Sequence, residues 1–140
     1  MGINSSRTRY ENELIHVLKN SLEENWFGQR GTHSNGVDVI MFKQGETNWK
    51  PTAVLFEVKS FKEWPFYING KNKTQYERYL ELLESYGIEV IYALRIVGSK
   101  EKEKWRFAKL TDFSLTNRGN ACIKLENTGG LLTLVSTMNG

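Results

Sequence analysis

The chain has 140 residues, 39% of them hydrophobic, with 19 basic and 16 acidic groups for a formal charge of +3. That length suits one domain around one sizeable core and needs no disulfide or metal staple to stand. Cys122 is the only cysteine, which excludes an intramolecular disulfide framework and a Cys-based zinc site and fits a reducing cytosol or nucleus.

The first residues are polar and no apolar run approaches the roughly eighteen residues of a membrane span, so neither secretion nor membrane insertion is expected. With no repeat, low-complexity segment or linker, residues 1–140 read as a single domain. Apolar residues Tyr10, Leu14, Val17, Leu18 and Leu22 predict a helix over 8–22, with Thr8 and Glu11 as a capping box. Residues 28–36 read as a loop or short strand. The β-branched and aromatic runs 37–43 and 53–60 predict a hairpin joined by 44–51. A second helix is marked by Thr74 and Glu77 as a capping box, by Tyr76, Tyr79, Leu80 and Leu83 as an apolar stripe, and by Gly87 as its stop. Residues 88–97 are apolar on both faces and predict an interior strand, followed by a strand over 104–110. Beyond 111 only short strand-like pieces are expected, around 122–125 and 131–135. This order predicts an α/β fold, a mixed sheet with helices packed on it.

The charge is unevenly spread. Residues 71–110 hold nine basic and six acidic groups, whereas 1–30 and 31–70 hold four of each and 111–140 two of each. A nucleic-acid face fits that stretch, and a solvated Lys/Glu surface accounts for the charge alone equally well.

The chemistry concentrates in Phe56-Glu57-Val58-Lys59-Ser60. Alternation puts Glu57 and Lys59 on one face of the strand, while Val54, Phe56 and Val58 make the other face apolar too. A strand buried on both sides holds charges only if their desolvation is offset; a surface Glu57–Lys59 pair at a strand end is the plain alternative. If the hairpin connection is centred on 44–51, Asp38 falls opposite Glu57, with Cβ atoms about 4.5–5.5 Å apart and like charges in conflict. A shared divalent cation removes that conflict, and Mg²⁺ accepts one or two carboxylates while keeping positions for water and phosphate. Glu11 adds a third carboxylate at the edge of the first helix's apolar stripe. Acids beside a lysine suggest metal-assisted phosphodiester hydrolysis. His16 and His33 belong to no triad frame, and the glycines at 28, 31 and 36 form no P-loop.

Asp38 followed by Glu57-x-Lys59 resembles the PD-(D/E)XK nuclease superfamily, with Val37 where many members have proline. More narrowly, Tyr10-Glu11-x-Glu13-Leu14, Trp26-Phe27, Arg30-x-x-x-Ser34-x-Gly36-Val37-Asp38, Glu57-Val58-Lys59-Ser60 and a helical Gln75 resemble the archaeal-type Holliday-junction resolvases and their viral relatives over about residues 7–110. The resemblance implies a restriction-endonuclease-like mixed central β-sheet flanked by helices. It implies a homodimer that nicks two opposed strands of a four-way DNA junction, one Mg²⁺-dependent site per protomer, with Mn²⁺ as a substitute. Glu11, Asp38 and Glu57 would then be the acidic, metal-holding residues and Lys59 the catalytic lysine, with Ser34 near the scissile phosphate and Gln75 facing the site. Glu13 rivals Glu11 as the first acid but leaves the apolar stripe towards solvent. A cytoplasmic setting is implied, nucleoid-associated or virus-encoded.

Arg7, Arg9, Arg30, Lys62, Lys71 and Lys73 flank this set in sequence and are candidate phosphate contacts. Phe61, Trp64, Phe66 and Tyr67, with Trp105 and Phe107, are candidates for a dimer patch, or equally for the core. Two other readings stand beside the resolvase: an endonuclease of the same chemistry acting on duplex or damaged DNA, and a non-catalytic DNA-binding scaffold.

Overall fold

The computed structural model describes residues 5–31, 36–44 and 52–140, with side chains from Thr8 onward. Helix α1 (Ser5–Ser21) leads into strands β1 (Trp26–Arg30), β2 (Val39–Lys43) and β3 (Thr52–Phe61). Short strand β4 (Phe66–Ile68), helix α2 (Lys71–Tyr86), and strands β5 (Val90–Ile96) and β6 (Trp105–Lys109) follow. The chain ends in β7 (Ser114–Leu115), β8 (Ala121–Ile123) and helix α3 (Leu131–Asn139). The main sheet runs β1-β2-β3-β5-β6, and a small sheet runs β4-β8-β7. Every neighbouring pair is antiparallel except β3 and β5. A parallel pair needs a crossover, here made through β4 and α2, which lays α2 across one face of the sheet.

Side-chain alternation divides the core between the two faces. On the first, Leu14 and Leu18 of α1 and Leu134, Val135 and Met138 of α3 pack on Val39, Phe56, Val58, Ala93 and Phe107. On the second, Tyr76 and Tyr79 of α2 and Phe66, Ile68, Ala121 and Ile123 of the small sheet pack on Val90, Tyr92 and Leu94. Each fully buried large side chain contributes roughly 1.5–3 kcal/mol. Strand β5 contributes buried residues to both faces, as its two-sided apolar pattern predicts.

Both expected capping boxes are absent. Thr8 lies inside α1, and α2 starts at Lys71 behind Gly70, with no side-chain cap. A residue inside a helix already commits its backbone to the ladder and cannot serve as the N-cap. Gly87 does end α2: its left-handed φ of 68° lets the amides of Gly87 and Ile88 turn back onto Leu83 O and Leu82 O. The segment expected as a strand at 131–135 is helix α3. A short apolar run fits either period, and here Leu131, Leu134, Val135 and Met138 gather on one helical face against the sheet.

Of the two readings left open for the aromatic set, the core takes most of it. Phe66, Trp105 and Phe107 are buried, Trp105 and Phe107 in the first-face core and Phe66 in the second. Phe61 and Trp64 are half-buried and packed edge to face at 4.6 Å. Of the six, only Tyr67 is exposed.

Candidate active site on the second face of the sheet

The β2–β3 hairpin has the anticipated register. Val39 pairs with Phe56 and Ile40 with Leu55, so the next position outward sets Asp38 against Glu57. Asp38 is fixed by its backbone: its N–H donates to Phe56 O at 3.0 Å, and its carbonyl accepts from Gly31 N–H at 2.8 Å. Gly31 is required there, because a Cβ at that position would lie 1.8 Å from the Val37 carbonyl oxygen. The Asp38 carboxylate turns inward, and its Oδ2 accepts the Val58 N–H at 2.8 Å. One β3 backbone donor is thus satisfied by a side chain, which ties the acid to the strand that carries Glu57 and Lys59.

Glu57 is fully buried. The Tyr79 hydroxyl of α2 donates to its Oε1 at 2.5 Å, and Lys59 Nζ stands 3.3 Å from its Oε2. Lys59 Nζ also donates to Asn72 Oδ1 in the first turn of α2, at 2.9 Å. Burial is the largest influence on Glu57, and the adjacent Asp38 carboxylate acts the same way; Lys59 and Tyr79 pull against them. The outcome is a carboxyl pushed up from 4.5 to about 7. Burial first, and then the Glu57 carboxylate, raise Tyr79 far above the ordinary phenol range, so it stays a proton donor to Glu57.

Gln75 lies on the same stretch of α2, three residues after Asn72 and four before Tyr79, so the three share a helix face. Gln75 is half-buried, and its Oε1 has no hydrogen-bond partner among the described residues. Ser34 lies outside the described residues, as does the side chain of Arg7. Arg9, Arg30, Lys62 and Lys71 are exposed, and Lys73 is half-buried. Arg9 lies 4.7 Å over the Tyr10 ring and donates to the Tyr10 hydroxyl at 2.7 Å.

The two candidates for the first acid, Glu11 and Glu13, both lie on α1. Glu11 is buried on α1, yet among the described residues no three His, Cys, Asp or Glu side chains are grouped so that they could hold a metal ion. Helix α1 packs on the first face of the sheet, and Asp38 and Glu57 act on each other on the second. Glu13 does not point to solvent either. Its Oε1 accepts from Arg95 Nε at 2.6 Å and from Trp105 Nε1 at 2.8 Å, a bridge from α1 to β5 and β6.

Tyr79 and Asn72 escape sequence reading. Tyr79 fits the apolar stripe of α2, and the available signal is that a buried tyrosine hydroxyl needs a partner. Nothing local marks Asn72, which precedes the expected start of the helix.

The pair Asp38 and Glu57 suits one hard divalent cation. Two carboxylates are enough for Mg²⁺. The Oε2 of Glu57 is buried with no hydrogen-bond partner among the described residues, and the Lys59 charge lies 3.3 Å away. The neighbouring acid disfavours its charged form, a conflict that a cation would relieve.

The fold is of the α/β class, a mixed central sheet flanked by helices. Among solved structures the chain is similar to Hjc from Archaeoglobus fulgidus, a Holliday junction resolvase from an archaeal hyperthermophile. That match has a TM-score of 0.65 at 20% sequence identity and covers 92% of this chain and 94% of that one. No protein-family model and no curated protein matches the sequence. At this identity the likeness is one of fold.

Proposed function

We propose that the protein is a structure-selective DNA endonuclease that resolves four-way junctions by paired, symmetric, Mg²⁺-dependent nicks. The observation that carries this reading is the buried meeting of Asp38 and Glu57 beside the Lys59 amine, 3.3 Å from Glu57. Buried like charges are costly to keep unless function requires them. The similarity of fold to a junction resolvase supports the same reading.

In this reading Asp38 and Glu57 hold Mg²⁺, with Mn²⁺ as a substitute. The bound ion would neutralise phosphate charge and lower the pKa of the attacking water. Lys59 orients that water and offsets charge as it builds on the phosphoryl oxygens. Gln75 faces the reacting groups from α2. Arg9, Arg30, Lys62, Lys71 and Lys73 contact phosphates, which fits recognition by shape more than by base sequence. Two symmetric incisions call for two sites at fixed spacing, so the active form is a homodimer of single-domain protomers. The setting is intracellular, on recombining DNA. Among the described residues no helix is long and apolar enough to cross a membrane.

The test is a mobile four-way junction and a linear duplex with the same arms, incubated with Mg²⁺ at fixed salt. Paired nicks at symmetric positions and a large preference for the junction are expected. Lys59→Ala and Asp38→Asn should each lower cleavage by roughly 10²–10³-fold or more while junction binding persists. Asn at 38 keeps an oxygen for the Val58 amide, so the hairpin is retained. Undiminished cleavage in both variants overturns the site; equal cutting of duplex and junction overturns the substrate.

A further inference from the structure

We propose that Asn72 is the positioning residue for the Lys59 amine, an assignment that rests on the nuclease reading above. Lys59 reaches its place on a long, flexible stem, and holding such a chain in one geometry costs rotamer entropy. Only 17% of its side chain is exposed, and two groups hold the amine: Asn72 Oδ1, which accepts its hydrogen bond at 2.9 Å, and the Glu57 Oε2 charge 3.3 Å away. They come from different elements, β3 and α2. An ammonium group has three N–H donors, so the bond to Asn72 leaves the others for substrate and water.

The two anchors are not equivalent. Glu57 alone would draw the amine onto its own Oε2, the atom proposed for the cation. Asn72 is neutral, comes from α2, and makes the shorter contact. It therefore holds the amine off the carboxylate and leaves Oε2 open to metal. Asn72 is exposed, two positions into α2. Its side chain supports no part of the core, so replacing it does not threaten the fold.

The experiment compares Asn72→Leu and Asn72→Asp with the unaltered chain. For Asn72→Leu, kcat on the junction should fall by about 10–100-fold with KM unchanged, the scale expected when a reacting group is misplaced by about 1 Å. Asn72→Asp restores an acceptor and should recover most of that loss. Calorimetric titration of the DNA-free protein with MnCl₂ should show weaker binding for Asn72→Leu. Side-chain NMR relaxation at the Lys59 ε-methylene should show an ordered group in the unaltered chain and a mobile one in Asn72→Leu. A KM that rises in step with lost affinity would make Asn72 a DNA contact and overturn the assignment. So would unchanged kcat, or unchanged Lys59 mobility. The relaxation measurement needs no activity: if the unaltered chain cuts no DNA, the nuclease reading fails, while the hold of Asn72 on Lys59 is still decided.

Discussion

Two glutamates on opposite faces of one sheet meet opposite treatment. On the first face, burial alone would raise Glu13, but hydrogen bonds from Arg95 and Trp105 and the Arg95 charge outweigh it and hold the carboxyl below its ordinary 4.5. On the second face, Glu57 is fully buried beside another acid, with one lysine and one phenol for compensation, and its carboxyl rises to about 7. Glu13 is an ion pair that joins α1 to the sheet. Glu57 is a charge the fold tolerates poorly by itself. The difference separates an acid kept for architecture from one suited to chemistry.

The contrast can be broken from either side. The largest effect on stability is expected from Phe56→Ala, which empties the first-face core where Phe56 packs edge to face on Phe107 at 6.2 Å. A loss of about 3–5 kcal/mol should appear in denaturant unfolding. A loss below about 1 kcal/mol would mean that this core collapses around the cavity.

Glu57→Gln should do the reverse. The rise from 4.5 to about 7 means that, without divalent cations, the unfolded chain releases this proton before the folded one does. Stability therefore falls as pH climbs from about 4.5 to 7, by about 3 kcal/mol in all, and levels off above that. The substituted amide stays neutral and still offers Tyr79 an oxygen, so the variant should lack this slope and be the more stable form at about pH 7.5 in EDTA. Added Mg²⁺ should narrow the gap by stabilising only the unaltered chain. Parallel pH profiles for the two proteins would contradict the burial argument.

The smallest effect belongs to Glu13→Ala, which strands the Arg95 guanidinium and the Trp105 indole N–H. A loss of about 1–2 kcal/mol is expected, partial exposure having weakened the pair. Because the folded carboxyl of Glu13 lies below its ordinary value, this contribution is present above pH 4.5 and fades on acidification. A cleavage defect without a stability defect would show that Glu13 had been assigned to the wrong role.

Much of this arrangement is legible in the chain. Alternation in β3 is local, so Glu57 and Lys59 share a face in any register. The symmetric connection of the hairpin carries Asp38 to its place opposite Glu57. Gly87 announces its own turn, since a left-handed residue there favours glycine. The helix starts are less legible, because Thr-x-x-Glu occurs inside helices as well as at their ends. Helix α3 is hidden for another reason: a short run of leucines and a valine fits both periods, and only the apolar surface offered by the first face selects one.

Periodicity and turn chemistry, which act over a few residues, settle β2, β3, β5 and β6, the two longer helices and the Glu57–Lys59 pair; the short strands β4 and β7 carry no such signal. Contacts between distant segments settle the rest. Tyr79 meets Glu57, Asn72 meets Lys59, and Glu13 is taken by Arg95 and Trp105, all because α2 crosses the second face and α1 lies on the first. No local propensity encodes which face a helix will cover; burial of its apolar stripe against a particular surface decides that, and the acids follow.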